Sequence, residues 1–152
     1  MRIFTFITLF CLVFTTINAE LIKPTPSIEP GKVISIQLSA LQQNNTPYDN
    51  AGIVQTWEFA HPSNRKYTGP LEKFALMMYS PSYIIMLNHL KHNIIEIEIS
   101  NNSAFFFIEL IDKNGNEYGF RWILEKVLTQ ENYKDCWMTT SVSPPMLLSK
   151  SS

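Results

Sequence analysis

Cysteine is nearly absent. Cys11 and Cys136 are the only two in 152 residues, and Cys11 falls within the apolar N-terminal segment. If that segment is removed as a leader, one thiol remains and no internal disulfide can form, although small secreted domains usually rely on several. Cys136 opens the strand-like run Cys136-Trp137-Met138, where a buried, inert thiol is expected. An excess of one charge sign is also missing. Twelve basic residues against 13 acidic ones leave a net charge of -1. Without a basic stripe, a nucleic-acid surface is excluded, and so is polybasic adsorption to a membrane. Charges interrupt every apolar run after the N-terminal segment, so none approaches the roughly 20 residues a spanning helix needs. No nucleophile elbow or phosphate-cradling loop occurs. His89 and His92 stand three apart, but no cysteine or carboxylate is placed to complete a tetrahedral metal set. No metal and no cofactor is expected.

What is present begins with Met1-Arg2, one positive charge, followed by an apolar run that ends near the small residue Ala19. This pattern predicts a signal peptide over residues 1–19. It implies a secreted chain or residence in the secretory pathway, with no stable membrane insertion after cleavage. Residues 20–29, ELIKPTPSIE, read as a Pro-spaced mobile linker. Residues 30–142 read as a single domain and residues 143–152 as a flexible tail after Pro144-Pro145. Two N-glycosylation sequons, at Asn44 and Asn101, fit a secreted glycoprotein.

Within the domain, Ile34, Leu38 and Leu41 line one stripe of a helix that begins at Pro30. Ile53, Trp57 and Ala60 recur at helical spacing in a second helix, capped by Asp49 or Asn50 and stopped by Pro62. His61, Asn64, Arg65 and Thr68 then form a polar loop up to Gly69. A third helix starts near Pro70 with Leu71, Phe74, Ala75 and Met78 on its apolar face. Ser80-Pro81 predicts a further short helix anchored by Tyr83, Ile84, Leu87 and Leu90.

The period then changes to two. Ile95, Ile97 and Ile99 alternate with Glu96 and Glu98, and residues 104–111 form a heavier, almost wholly apolar strand. Asn114-Gly115 marks a hairpin. Tyr118, Phe120, Trp122 and Leu124 share one face of the next strand, and residues 136–142 supply the last. Helices first and an antiparallel meander afterwards predict an α+β fold. Its helices would cover a curved sheet and leave a partly filled cone.

The runs I36-Q37-L38-S39-A40-L41-Q42, F59-A60-H61-P62-S63-N64-R65, T68-G69-P70-L71-E72-K73-F74, F120-R121-W122-I123-L124 and C136-W137-M138-T139-T140-S141-V142 cover much of residues 30–142. On them the chain resembles an uncharacterised family of domains of unknown function found in bacteria and photosynthetic eukaryotes. His61 stands where that family commonly has serine. The resemblance implies an NTF2-like or cystatin-like α+β architecture, without implying a reaction. Its photosynthetic members also imply an alternative destination, a plastid reached through the secretory pathway.

Three functions are compatible with these residues. The first is a non-catalytic domain that binds a small apolar or amphipathic ligand, or a partner. His61, Asn64, Arg65 and Thr68 would sit at the mouth of the cone, with Phe107, Tyr118, Phe120, Trp122 and Trp137 lining it. The second is a homodimeric interaction module, joined through a sheet face that carries Phe106, Ile108, Ile123 and Met138. The third is an enzyme with His61 as base and Arg65 orienting a small anionic substrate.

Overall fold

Helix α1, Pro30–Gln42, forms because Pro30 suits a first turn and the apolar positions then recur on one stripe. Val33, Ile34, Leu38 and Leu41 are fully buried. Each such side chain contributes about 1.5–3 kcal/mol relative to exposure. The computed structural model describes residues 20–152, and the expected signal peptide at residues 1–19 lies outside them.

Helix α2 spans Ala51–Glu58. Neither expected cap serves it: Asn50 is in a left-handed conformation and makes no capping bond. Asn44 caps instead, its Oδ1 accepting the Ile53 amide at 3.0 Å. The Asn44 side chain is therefore buried, with Nδ2 donating to the Asn50 and Asn45 side chains at 3.1 and 3.3 Å. A glycan has no room there while the fold is intact. Asn101 lies exposed between the first two strands.

The expected polar loop is a helix, α3, over Pro62–Thr68. Helix α2 has already ended at Glu58, ahead of Pro62, and Pro62 instead opens α3, while the Nδ1 of His61 accepts the Ser63 amide at 3.1 Å as an N-cap. Gly69, at φ 77°, closes it. Helix α4 follows as Leu71–Met78, burying Phe74 and Met78. The helix expected after Ser80-Pro81 shrinks to a 3-10 turn over Ile84–Met86. Leu87 is extended, and the Asn88 amide bonds to the Leu41 carbonyl at the end of α1, which draws the chain out of the helix.

The strands are β1 (Lys91–Ile99), β2 (Ser103–Ile111), β3 (Glu117–Lys126), β4 (Trp137–Val142) and β5 (Met146–Ser149). They form one antiparallel sheet in the order β1-β2-β3-β4, with β5 also paired to β3. Strand β4 takes the Trp122–Lys126 half of that edge and β5 the Glu117–Gly119 half. Residues 143–152 are therefore not simply a flexible tail, because after Pro144-Pro145 the chain runs on along the same edge of β3 as β5. Residues 20–29 are likewise tied down. Ile22 exchanges two 2.8 Å bonds with the Gln55 side chain, and Lys23 pairs with Glu58 at 2.8 Å.

The α+β arrangement holds, with helices against one face of an antiparallel sheet, but the cone does not. The sheet is open and not strongly curved, so an NTF2-like or cystatin-like shape is excluded. Register also corrects the face of β2. Phe106 pairs with Trp122 and Ile108 with Phe120, which places both under the helices. Phe105, Phe107 and Ile123 take the outer face with Arg121. Met138 is buried in a small second core with Val127 and Cys136. The main core thus lies between α1, α2, α4 and the inner sheet face. Among the described residues no helix is long and apolar enough to cross a membrane.

Candidate functional site

Where the helices meet β3 and β4 the core is incomplete. A cavity of about 150 Å³ remains, walled by Leu41, Phe74, Met77, Met78, Met86 and Trp122. The half-buried Asn64, Thr68, Met77 and Tyr83, with exposed Ser141, mark its open side. Shallower grooves of about 410 and 530 Å³ lie over α1 and α2 and on the outer sheet face. Only the smaller cavity reaches into the core.

Its floor is a buried polar chain whose directions are forced. The indole Nε1 of Trp122 can only donate, and it meets Thr139 Oγ1 at 3.0 Å. Thr139 must then donate onward to Gln37 Oε1, at 2.7 Å. The Nε2 of Gln37 donates to the Thr56 carbonyl at 3.0 Å, and Thr56 Oγ1 donates to the Gly52 carbonyl at 2.8 Å. Thr139 also holds the helices through its backbone: its amide donates to Phe59 O, and its carbonyl accepts from His61 N, both at 2.8 Å. Asn64 Nδ2 reaches the same carbonyl at 3.4 Å.

Of the residues the sequence nominated, the cavity brings together Asn64, Thr68 and Trp122. Phe120 is fully buried in the core, Trp137 is packed there under the Lys126 ammonium at 5.2 Å, and Tyr118 is half-buried against it. Phe107 faces outward over Gly119. Gln37, Thr56, Tyr83 and Thr139 are not among the site candidates of the sequence, where Tyr83 figures only as a helix anchor. For Gln37 a signal existed, a polar residue inside the apolar stripe of α1.

Arg65 is turned away from the cavity. Its Nη2 donates to the carbonyls of Trp57 and Glu58, each at 3.0 Å, satisfying the end of α2. Its guanidinium stacks 3.8 Å from the Trp57 ring centroid, with Tyr133 at 5.6 Å on another side. Among the described residues, Nε of Arg65 and Nε1 of Trp57 find no hydrogen-bond partner.

His61 borders a separate groove with Glu125 and Lys126. Burial lowers its pKa, against the raising influence of Glu125 and of a backbone bond that the ring donates to Lys126. Its Nδ1 is occupied by the cap and by Ser63 Oγ at 2.8 Å, so His61 and Arg65 do not converge on one substrate position.

The two remaining histidines form a fixed pair. His89 is buried, and its Nδ1 donates to Met86 O at 2.7 Å. Its Nε2 then accepts from His92 Nδ1, also at 2.7 Å. Burial drives the His89 pKa down to about 4 despite the Met86 bond, and burial lowers that of His92 as well. Among the described residues no group of three or more histidine, cysteine, aspartate or glutamate side chains could hold a metal.

No family model matches the chain, and neither a curated protein nor a solved structure matches it. The resemblance to an NTF2-like or cystatin-like family of unknown function is therefore withdrawn. The class that stands is a generic α+β domain with helices packed on a sheet. The expected signal peptide, secretion and glycosylation receive no support either.

Proposed function

We propose that this chain is a non-catalytic binding domain for a small, uncharged, mostly apolar molecule seated between the helices and the sheet, against Trp122. The observation that carries this reading is the lining. A cavity of about 150 Å³ has apolar walls and a polar floor, and no charged side chain lines it among the described residues. A cavity of that size accepts a single ring such as benzene. Three methionines, Met77, Met78 and Met86, give its wall adaptable, polarisable surface. Among the described residues the only titratable lining group is Tyr83, whose pKa burial raises and whose hydroxyl donates to the Val142 carbonyl. A buried anion would meet no partner, so the anionic substrate imagined for Arg65 does not suit this site.

The test is calorimetry and thermal melting with single-ring compounds such as benzene, toluene and phenol. A ligand at a hundred times its Kd stabilises by about 2.7 kcal/mol, which raises Tm by about 10 °C in a domain of this size. Resonances of Trp122 and Thr139 should shift on binding. If no ring-sized compound moves Tm or those resonances, the reading fails.

A second reading, self-association through the outer sheet face, is favoured by the exposed Ile97 and Phe105 beside Phe107 and Ile123.

A further inference from the structure

We infer that the ligand of this cavity carries a hydrogen-bond donor, as a phenol, a small alcohol or an N–H heterocycle does; this rests on the binding function proposed above. Apart from Ser141 on the rim, the hydroxyls that line the cavity have already committed their protons. Thr68 donates to the Asn64 carbonyl at 3.2 Å, Tyr83 to Val142 O at 3.1 Å and Thr140 to Ile123 O at 3.2 Å. Thr56 donates to Gly52 O and Thr139 to Gln37 Oε1, at 2.8 and 2.7 Å. A carbonyl oxygen cannot return a proton, so these directions are not a choice of rotor.

Thr139 already accepts from the Trp122 indole, but the oxygens of Thr56, Thr68, Tyr83 and Thr140 accept from no group among the described residues and keep their lone pairs for whatever enters. The Asn64 amide is oriented with its nitrogen toward Thr139 O, which leaves its Oδ1 as another acceptor. Against these stand few donors: the second hydrogens of the Gln37 and Asn64 amides, and the hydroxyl of Ser141 on the rim. The site is acceptor-rich and uncharged. A donor on the ligand satisfies it, an ether or a plain hydrocarbon leaves the lone pairs unmatched, and a carboxylate is opposed by them.

The experiment compares phenol, toluene, anisole and benzoate by calorimetry on the full chain, with the Trp122 indole N–H resonance confirming occupancy of this cavity. A purely apolar cavity ranks toluene above phenol, because phenol leaves water less readily. The expected result is the reverse, phenol binding about 3- to 10-fold more tightly than toluene or anisole, the value of one net hydrogen bond, and benzoate not binding. Toluene or anisole binding as tightly as phenol would overturn the donor inference while leaving the cavity a binding site. Benzoate matching phenol would overturn it too. If none of the four perturbs Trp122, the binding function itself falls.

Discussion

Arg65 closes the end of α2 through two carbonyls, and His61 opens α3 through its ring nitrogen. The His89–His92 pair has a thermodynamic consequence. His89 has a pKa of about 4 in the folded chain against an ordinary value of 6.5, while His61 and His92 are lowered in the same direction. Between those limits the unfolded chain takes up protons that the folded chain refuses. Stability from this source is complete above about pH 6.5 and is lost as pH falls toward 4. For His89 the full loss amounts to about 3 kcal/mol. Urea melts from pH 7 to 5 should show the decline, and His89→Asn, which no longer titrates, should flatten it. Equal slopes in the two proteins would mean that His89 is not buried neutral.

Helix α2 depends on its closeness to α1. A Cβ placed on Gly52 would lie 2.2 Å from the Ala40 carbonyl oxygen and 2.9 Å from Asn44 Cα. Both are backbone, so neither can swing aside and the helices must part. Gly52→Ala should lower stability by about 1–3 kcal/mol, seen as a lower urea midpoint with an unchanged m-value. A neutral result would mean that the two helices cross more loosely than described. Elements of this kind were unevenly legible in the sequence. Helices α1, α2 and α4 and the change to strands were visible, because each has a clean apolar period. Helix α3 was hidden, since Pro62 reads as a stop and its second role needs the His61 cap. Strand β5 was hidden because only its pairing to β3 orders it. The phase of β2 could not be read from residues 104–111, where nearly every position is apolar; pairing with Trp122 and Phe120 decides it. The candidate site was less legible still. Trp122, Asn64 and Thr68 were nominated, but Gln37 and Thr139 meet from 102 positions apart. No local pattern announces such a bond.

The proposed self-association would use the sheet face that the helices leave uncovered. Ile97 is 64% exposed and Phe105 41%, next to Phe107 and Ile123 in a groove of about 530 Å³. Scattered apolar side chains need no explanation, whereas a contiguous patch on a sheet does. The sheet edge is a poorer candidate for pairing. Strand β1 carries Glu96 and Glu98, and its register shifts between them, both of which discourage edge-to-edge addition. A two-fold face-to-face dimer is the arrangement this distribution favours, and a stable one covers about 800 Å² on each partner. Phe105→Asp tests it well, because Phe105 points outward and its replacement leaves the inner core intact. Sedimentation at micromolar concentration should give a dimer for the unmodified chain and a monomer for the variant, with the two sharing one circular dichroism spectrum. A monomer in both cases would end the proposal, and a dimer in both would place the interface away from Phe105.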